Sequence, residues 1–458
     1  MNFVPQNSCS LWLCVVGWLL AIGGDLARAD VVRLMSDDTT ALLHRLEMIH
    51  RAQREILLSA YEVGDDPVAL RLLSAMRDAA RRGVCVKLLV DGHGENNLMP
   101  KALMEYLIGQ GVYIREHMPD VRYKIELGRQ RMHDKLFIVD GQQLVMGGRN
   151  VRADYYGMAE KNYLDRELFL VGNTAQHARN YFLARWNAST SGQPTSVREE
   201  KKSVRERQAL QFLNDMPRPL AIACAARLLD QAASAALPET SSCCQHHCLR
   251  CNCESFMEIE CIRFLHDIPN ASKDEPTAIA SQLLERIAAA RKCILIQTPY
   301  LVFTHGLRHR LAEARRRGVT VNILTNSLET TNHIIVHAQY ANERRWLRDR
   351  GIQLWEMKGE RHLHAKAMVI DHHLAMMGST NLDVLSETRN SEVALLINDG
   401  RFAAALAEQI SHQMSASRAV PLDEPLIGFD ARTNAVDDSM LREARIKRVI
   451  SPWIKKYL

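Results

Sequence analysis

The sequence predicts an α/β protein of two similar halves. Each half is an α/β/α sandwich, and the two are related by a pseudo-twofold that places one active site at their interface. Two observations carry this reading. The first is a block of polar and small residues that recurs at a fixed offset. RMHDKLFIVDGQQLVMGGRN (131–150) and HLHAKAMVIDHHLAMMGSTN (362–381) share H-x-K, an Asp five residues after the Lys, a small pair and an Asn. His133 and His364, Lys135 and Lys366, Asp140 and Asp371, Gly147 and Gly378, and Asn150 and Asn381 all stand 231 residues apart. The second is the shared alternation of helical and strand patterning ahead of each block.

In order along the chain, Leu11 to Gly24 is a 14-residue apolar run followed by Ala27-Arg28-Ala29. That length is short of the roughly 20 residues a bilayer span needs, so residues 1–29 read as a signal peptide, and the protein as exported or held at a membrane by this segment. A first domain follows over 30–195. AQREILLSAYEV (52–63) is a strand after an amphipathic helix, and AARRGVCVKLLVDG (79–92) is a basic helix end, a Gly stop and a second strand. LMEYLIGQGVYIRE (103–116) repeats the pattern before the first H-x-K. Residues 196–273 change character, with charged VREEKKSVRER, an Ala-rich stretch and a Cys/His cluster, and read as a linker or insert. The second domain, 274–458, replays the first: ARKCILIQTPYLV (290–302), ARRRGVTVNILTNS (314–327) and RRWLRDRGIQLWE (344–356) precede the second H-x-K. A largely parallel sheet is expected from this alternation. The basic tail 442–458, with Trp453 and Tyr457, reads as a solvated helix or a surface resting on anionic lipid.

Composition narrows the class. Hydrophobic residues at 47% and charged residues at 24% exclude a disordered chain or a multi-pass membrane protein. A net charge of +5, from 58 Lys+Arg against 53 Asp+Glu, gives no global basic field and argues against nucleic acid.

On a strand, residues i and i+2 share a face, so His133 projects with Lys135 and His364 with Lys366. Two His–Lys–Asn sets facing one cleft suit cleavage of a phosphodiester. Lysines and amides neutralise the non-bridging oxygens, one imidazole attacks phosphorus, and the other protonates the leaving alkoxide and later activates the acceptor. Lys135, Lys366, Asn150, Asn381 and Ser379 are the expected phosphate contacts. Each histidine needs a carboxylate to set its tautomer. Asp165 follows His133 by 32 residues and Glu392 follows His364 by 28, each at the start of an apolar strand-like run. These are the preferred carboxylates of the first and second half-site. Asp140 and Asp371 are also candidates by their place in the motif, although their position before Gly141 and His372 suits a strand-ending turn in which Asp bonds backbone.

With H-x-K-x-x-x-x-D-x-x-x-x-x-x-G-[GS]-x-N present twice, the sequence resembles the phospholipase D superfamily over roughly 37–190 and 275–458. Within it, GGRNVRADYYG, IQTPYLV, HAQYANERRWLRDRGIQLWE and GSTNLDVLSETRNSE are similar to bacterial cardiolipin synthases. The resemblance implies two mixed-sheet domains around one cleft, a phosphohistidine intermediate, and neither a required metal nor a cofactor. It implies His133 as nucleophile, His364 as general acid/base, and a glycerophospholipid at a membrane surface as substrate. Tyr163 and Leu164 stand where cardiolipin synthases often carry a Trp shortly before the acidic residue. Hydrolysis to phosphatidic acid, nuclease activity and a non-catalytic lipid-binding module are the alternatives. In the insert, Cys243, Cys244, His246, His247, Cys248, Cys251, Cys253 and Cys261 leave disulfides, zinc, lipidation or a plain loop open.

Overall fold

The computed structural model describes residues 29–92, 99–117, 131–192, 216–235, 256–267 and 275–420, together with Leu213, Glu443 and Lys447. The apolar N-terminal run, most of the Cys/His cluster and nearly all of the basic tail lie outside the described residues. No described helix is long and apolar enough to cross a membrane.

The first half contains β1 (Asp30–Met35), α1 (Asp38–Arg51), β2 (Glu55–Ala60), α2 (Pro67–Arg81), β3 (Cys85–Asp91), α3 (Lys101–Gly109), β4 (Val112–His117), β5 (Leu136–Val139) and β6 (Gln143–Gly147). A 3-10 turn (Ala153–Tyr156), β7 (Tyr163–Leu164), β8 (Glu167–Val171), α4 (Asn173–Asn187) and β9 (Ser191–Gly192) complete it. The insert contributes α5 (Arg218–Ser234), β10 (Met257–Ile259) and β11 (Ile262–His266). The second half continues with α6 (Ala278–Ala289), β12 (Cys293–Gln297), α7 (His305–Arg316), β13 (Thr320–Thr325), α8 (Ile334–Arg348), β14 (Gln353–Glu356), β15 (His362–Leu363), β16 (Ala367–Ile370), β17 (Leu374–Gly378), α9 (Val384–Thr388), β18 (Val393–Asn398), α10 (Gly400–Ser415) and β19 (Arg418–Val420).

The duplication is complete at the level of topology. One sheet runs β10-β1-β8-β6-β5-β2-β3-β4-β9 and the other β11-β18-β17-β16-β12-β13-β14-β19. Apart from β10, the strand orders correspond one to one. Among the described residues of these two sheets, β2-β3-β4 and β12-β13-β14 run parallel and the remaining pairs are antiparallel. The largely parallel sheet expected from the alternation is therefore a mixed one. The cause is local: after each H-x-K strand, Asp140-Gly141 and Asp371-His372 adopt positive φ and turn the chain straight back as a hairpin, which forces antiparallel pairing. The second sheet also begins at Ile262, inside the stretch read as insert, and β10 joins the first sheet through β1.

Local signals place the helices. Asp66 caps α2 by accepting from the amides of Val68 and Ala69 at 3.0 Å, with Pro67 as the first helical residue. Gly83 and Gly318 end α2 and α7 at φ 94° and 88°, a conformation that favours glycine. α1, α2, α3 and α5 cover the outer face of the first sheet, and α6, α7 and α8 that of the second. Between the sheets lies a shared core built from α4 and α10, with Phe182, Trp186, Phe402 and Leu406 packed against Ile138, Leu144, Val369 and Leu395. Each buried Leu or Phe contributes roughly 1.5–3 kcal/mol. The two halves are thus fixed to each other by apolar burial, and the H-x-K strands LFIV and AMVI, wholly buried, are anchored on that core.

Candidate active site

Each H-x-K segment enters the interface as extended backbone bonded to the opposite half. The amide of His133 donates to Ser391 O at 2.9 Å, and that of Ser391 to Arg131 O at 2.9 Å. In the mirror arrangement β15 pairs parallel with β7, and the amide of His364 donates to Leu164 O at 2.8 Å. Ser391 and Leu164 immediately precede Glu392 and Asp165. The carboxylates therefore cross over. His133 Nδ1 meets Glu392 at 2.9 Å, and His364 Nδ1 meets Asp165 at 2.7 Å. The expectation that Asp165 belongs to the His133 half-site and Glu392 to that of His364 is corrected: each histidine is oriented by the other half.

The lysines share this interface. Lys135 Nζ donates to His133 O at 2.9 Å, and Lys366 Nζ donates to His364 O at 2.5 Å while lying 3.0 Å from His364 Nε2. The positive charge of Lys366 bears on His133 and that of Lys135 on His364, so the two sets form one cluster. Burial, with that mutual repulsion, holds His133 well below its usual range and His364 at about 3. Burial also lowers Lys135 to about 8 and Lys366 to about 7. A buried cluster that resists its own positive charge is a ready receptor for an anion.

The two dyads differ electrostatically. Burial raises Glu392 to about 7 against the pull of Lys135, Ser379 and Ser386. Burial acts in the same direction on Asp165, but His364, Lys366 and Arg149 overcome it and hold the carboxyl at about 2. A glycine–serine difference accompanies this. At Gly148 a Cβ would lie 2.3 Å from Asp165 Oδ1, so the carboxylate fills the space a side chain would take. The corresponding Ser379 instead donates its hydroxyl to Glu392, and Ser386 donates to the other oxygen at 2.6 Å. Ser379, expected on the phosphate, is thus engaged with Glu392.

The remaining candidates separate. Asn150 accepts the Glu62 amide at 3.2 Å and donates to the Tyr155 hydroxyl at 2.8 Å; Asn381 sits beside Asp383 and Ser386. Asp140 and Asp371 are at the far end of β5 and β16, five residues or ~16 Å beyond the lysines. Asp140 accepts from the amides of Gln53, Arg54 and Glu55, and Asp371 from those of Arg291, Lys292 and Cys293. They clamp the entry to β2 and β12, which removes them from the catalytic set.

Several neighbours escaped the sequence reading. Asp91 accepts the amide of Met132 at 2.9 Å, and Asn326 accepts that of Leu363 at 2.8 Å, so equivalent strand ends hold both H-x-K segments. The aligned VDG and TNS of the two repeats contain that signal. Tyr61 lies edge-on to His133 at 4.9 Å, while Tyr155 and Tyr163 flank His364, each at 5.1 Å. On the side of Asp165, buried Arg149 bonds Asp38 at 2.7 Å, Tyr155 O at 2.9 Å and Asp165 O at 3.2 Å. Asp38 continues the chain to Arg361 of the second half at 2.6 Å.

Two His–Lys half-sites that exchange their carboxylates across a duplicated α/β/α fold define an enzyme of the phospholipase D superfamily. The chain belongs to the family described as Cardiolipin synthase, PLD-like domain, whose model matches residues 46–186 and 283–414. It is 25% identical over 445 residues to cardiolipin synthase C of Escherichia coli (strain K12), covering 89% of each chain. It is 26% identical over 408 residues to an uncharacterized protein of Helicobacter pylori (strain J99 / ATCC 700824), covering 81% of this chain and 76% of the relative. Among solved structures, phosphatidylserine synthase of Haemophilus influenzae Rd KW20 superposes with a TM-score of 0.66 at 16% identity, over 95% of this chain and 98% of that one. That likeness is one of fold.

Proposed function

We propose that the protein is a phosphatidyltransferase that joins two phosphatidylglycerols into cardiolipin, releasing glycerol, through a phosphohistidine intermediate. The observation that carries this reading is the crossed pair of dyads around two lysines, one dyad with a partner held firmly ionised and the other with a partner that titrates near neutrality. The end-to-end match to cardiolipin synthase C supports the choice of lipid.

The phosphodiester enters between Lys135 and Lys366, whose charges sit on its non-bridging oxygens. Its negative charge offsets the burial and lysine repulsion that keep His364 neutral, and that ring, anchored to the Asp165 anion, takes up a proton with the substrate. His133, its Nδ1–H donated to Glu392, presents the Nε2 lone pair to phosphorus. The N–P bond forms as the P–O bond to glycerol breaks, and His364 gives its proton to the departing alkoxide. In the second half-reaction His364, now neutral, removes the proton from the hydroxyl of a second phosphatidylglycerol. That oxygen attacks phosphorus, the P–N bond breaks and His133 is regenerated. The electrostatics favour this division of labour, because the fixed anion stands at His364, the ring that must carry charge.

The test is incubation of the full chain with phosphatidylglycerol vesicles and a chelator, with lipids resolved by mass. Cardiolipin and free glycerol are expected. Phosphatidic acid without cardiolipin would make the protein a hydrolase, and DNA cleavage with no lipid turnover would make it a nuclease.

A further inference from the structure

The two histidines correspond in sequence, but their surroundings differ. On the His133 side, Lys135 and Arg131 lie over Tyr61, with Nζ 5.2 Å and the guanidinium carbon 5.7 Å from the ring centre. On the His364 side there is a row of hydroxyl and amide groups that crosses from one half to the other. The Tyr300 hydroxyl donates to Asn332 Oδ1 at 2.9 Å, and Asn332 Nδ2 donates to the Tyr163 hydroxyl at 2.9 Å. The row has a direction. Each member gives its proton to the next, and the Tyr163 oxygen, having accepted, keeps its own proton to donate. The ring of Tyr163 is stacked on Tyr155 at 4.5 Å and lies 5.1 Å from the ring of His364, so the tyrosine that ends the row packs beside the general acid/base.

Glu62 supplies the complementary group. It leads out of β2 at the position that corresponds to Tyr300 leading out of β12, as the equivalent bridges Val63–Val151 and Leu301–Leu382 establish. The Glu62 amide is held by Asn150 at 3.2 Å, and its charge acts on Lys135, Tyr155, Tyr163 and Tyr300. Arg152, at 3.3 Å, occupies one of the lone-pair sites of this carboxylate and leaves others to accept. Asn332 is exposed, and Glu62, Tyr163 and Tyr300 are half-buried, so the group is reachable from solvent.

We propose that Tyr163, Asn332, Tyr300 and Glu62 form an acceptor subsite that recognises the second hydroxyl of a vicinal diol while His364 activates the first. The inference rests on the phosphatidyltransfer reading and deepens it. A glycerol-type alcohol places one hydroxyl at His364, and its neighbour accepts from Tyr163 and donates to Glu62. Water and simple alcohols leave that donor and acceptor unmatched, which is how a polar site discriminates. Tyrosine faces beside a carboxylate also suit a quaternary ammonium group. Here the faces of Tyr155 and Tyr163 are stacked on each other, and Lys135, Lys366 and Arg152 surround the cleft with positive charge. A neutral polyol fits that field better.

The experiment uses the full chain on phosphatidylglycerol vesicles containing equal concentrations of 1,2-propanediol and 1-propanol, and, in a second mixture, 1,2-propanediol and choline. The new phosphatidyl alcohols and phosphatidic acid are quantified by mass. The wild type is expected to favour the diol over 1-propanol by about tenfold, the net value of the pair of hydrogen bonds made by the second hydroxyl. In Tyr163→Phe, which keeps the ring stacking, and in Asn332→Ala, the preference falls to within about twofold and the share of phosphatidic acid rises. A damaged fold would lower all products together and leave their ratio alone. Equal use of diol and 1-propanol by the wild type, a choline adduct exceeding the diol adduct, or a ratio preserved in both variants would overturn the inference while leaving transfer intact. A wild type that consumes no phospholipid overturns the transfer reading, and the subsite with it.

Discussion

Replacing Asp165 by Asn tests the division of labour between the two dyads. The carboxylate accepts twice in the structure, from His364 Nδ1 at 2.7 Å and from the Arg166 amide at 2.8 Å. An amide has one oxygen, so whichever way it turns, one of those donors faces an NH2 group. The fall of Asp165 from 3.8 to about 2 corresponds to roughly 2–3 kcal/mol in favour of the ionised carboxylate, all of which is lost. The unmatched buried donor adds about 1–3 kcal/mol. A barrier raised by about 3–6 kcal/mol is roughly a 10^2- to 10^4-fold fall in rate. Glu392→Gln is expected to do less, about tenfold. Burial holds Glu392 near pH 7, so a neutral group there is already part of the native population, and the Ser379 and Ser386 hydroxyls can rotate to suit an amide. Single-turnover release of glycerol from phosphatidylglycerol vesicles measures both. Equal losses, or an Asp165→Asn rate within tenfold of wild type, would refute the assignment of the charged role to His364.

Two further outcomes follow from the same geometry. Because burial lowers Lys366 to about 7 and Lys135 to about 8, the free site loses positive charge as pH rises through that range, so kcat/KM should fall above about pH 7. A bound phosphodiester favours the protonated lysines, so the corresponding limb of kcat lies at higher pH; a flat kcat/KM from pH 7 to 9 would contradict this. Arg149→Met removes a buried cation shared by Asp38 and Glu167 and by the carbonyls of Tyr155 and Asp165, and should cost about 3–5 kcal/mol of stability. A urea midpoint close to wild type would show that Arg45, which pairs with Glu167, and Arg361, which pairs with Asp38, suffice to hold those acids.

The fold was legible because the repeat writes its strand order twice, and the periodicities marked the elements around both H-x-K blocks. Sheet direction was less legible. The signal for antiparallel pairing was two residues, Asp140-Gly141 and Asp371-His372, and the helix–strand alternation upstream outweighed them. His133, Lys135, His364 and Lys366 could be named because residues two apart on a strand share a face. The carboxylate partners could be named but not matched. Spacing along one chain is the same whether Asp165 turns toward its own half or the other, and only the cross-pairing of Leu164 with His364 and of Ser391 with His133 decides it. Ser386 and the tyrosines gave no pattern, since a Ser in a short helix and a Tyr beside a strand look like ordinary packing. Asp91 and Asn326 stand at equivalent ends of the aligned strands, so the repeat itself carries their signal.

In the proposed mechanism His133 is the nucleophile of a single site and His364, held by Asp165, moves the protons. That mechanism is tested most directly by supplying His364→Asn with phosphatidyl p-nitrophenol, whose leaving group needs no acid, quenching in base, and locating any covalent phosphatidyl group by peptide mass spectrometry. That variant is expected to accumulate the group on His133, because the acceptor hydroxyl has lost its base. Modification at another residue, or turnover at the wild-type rate with no trapped intermediate, would contradict the account.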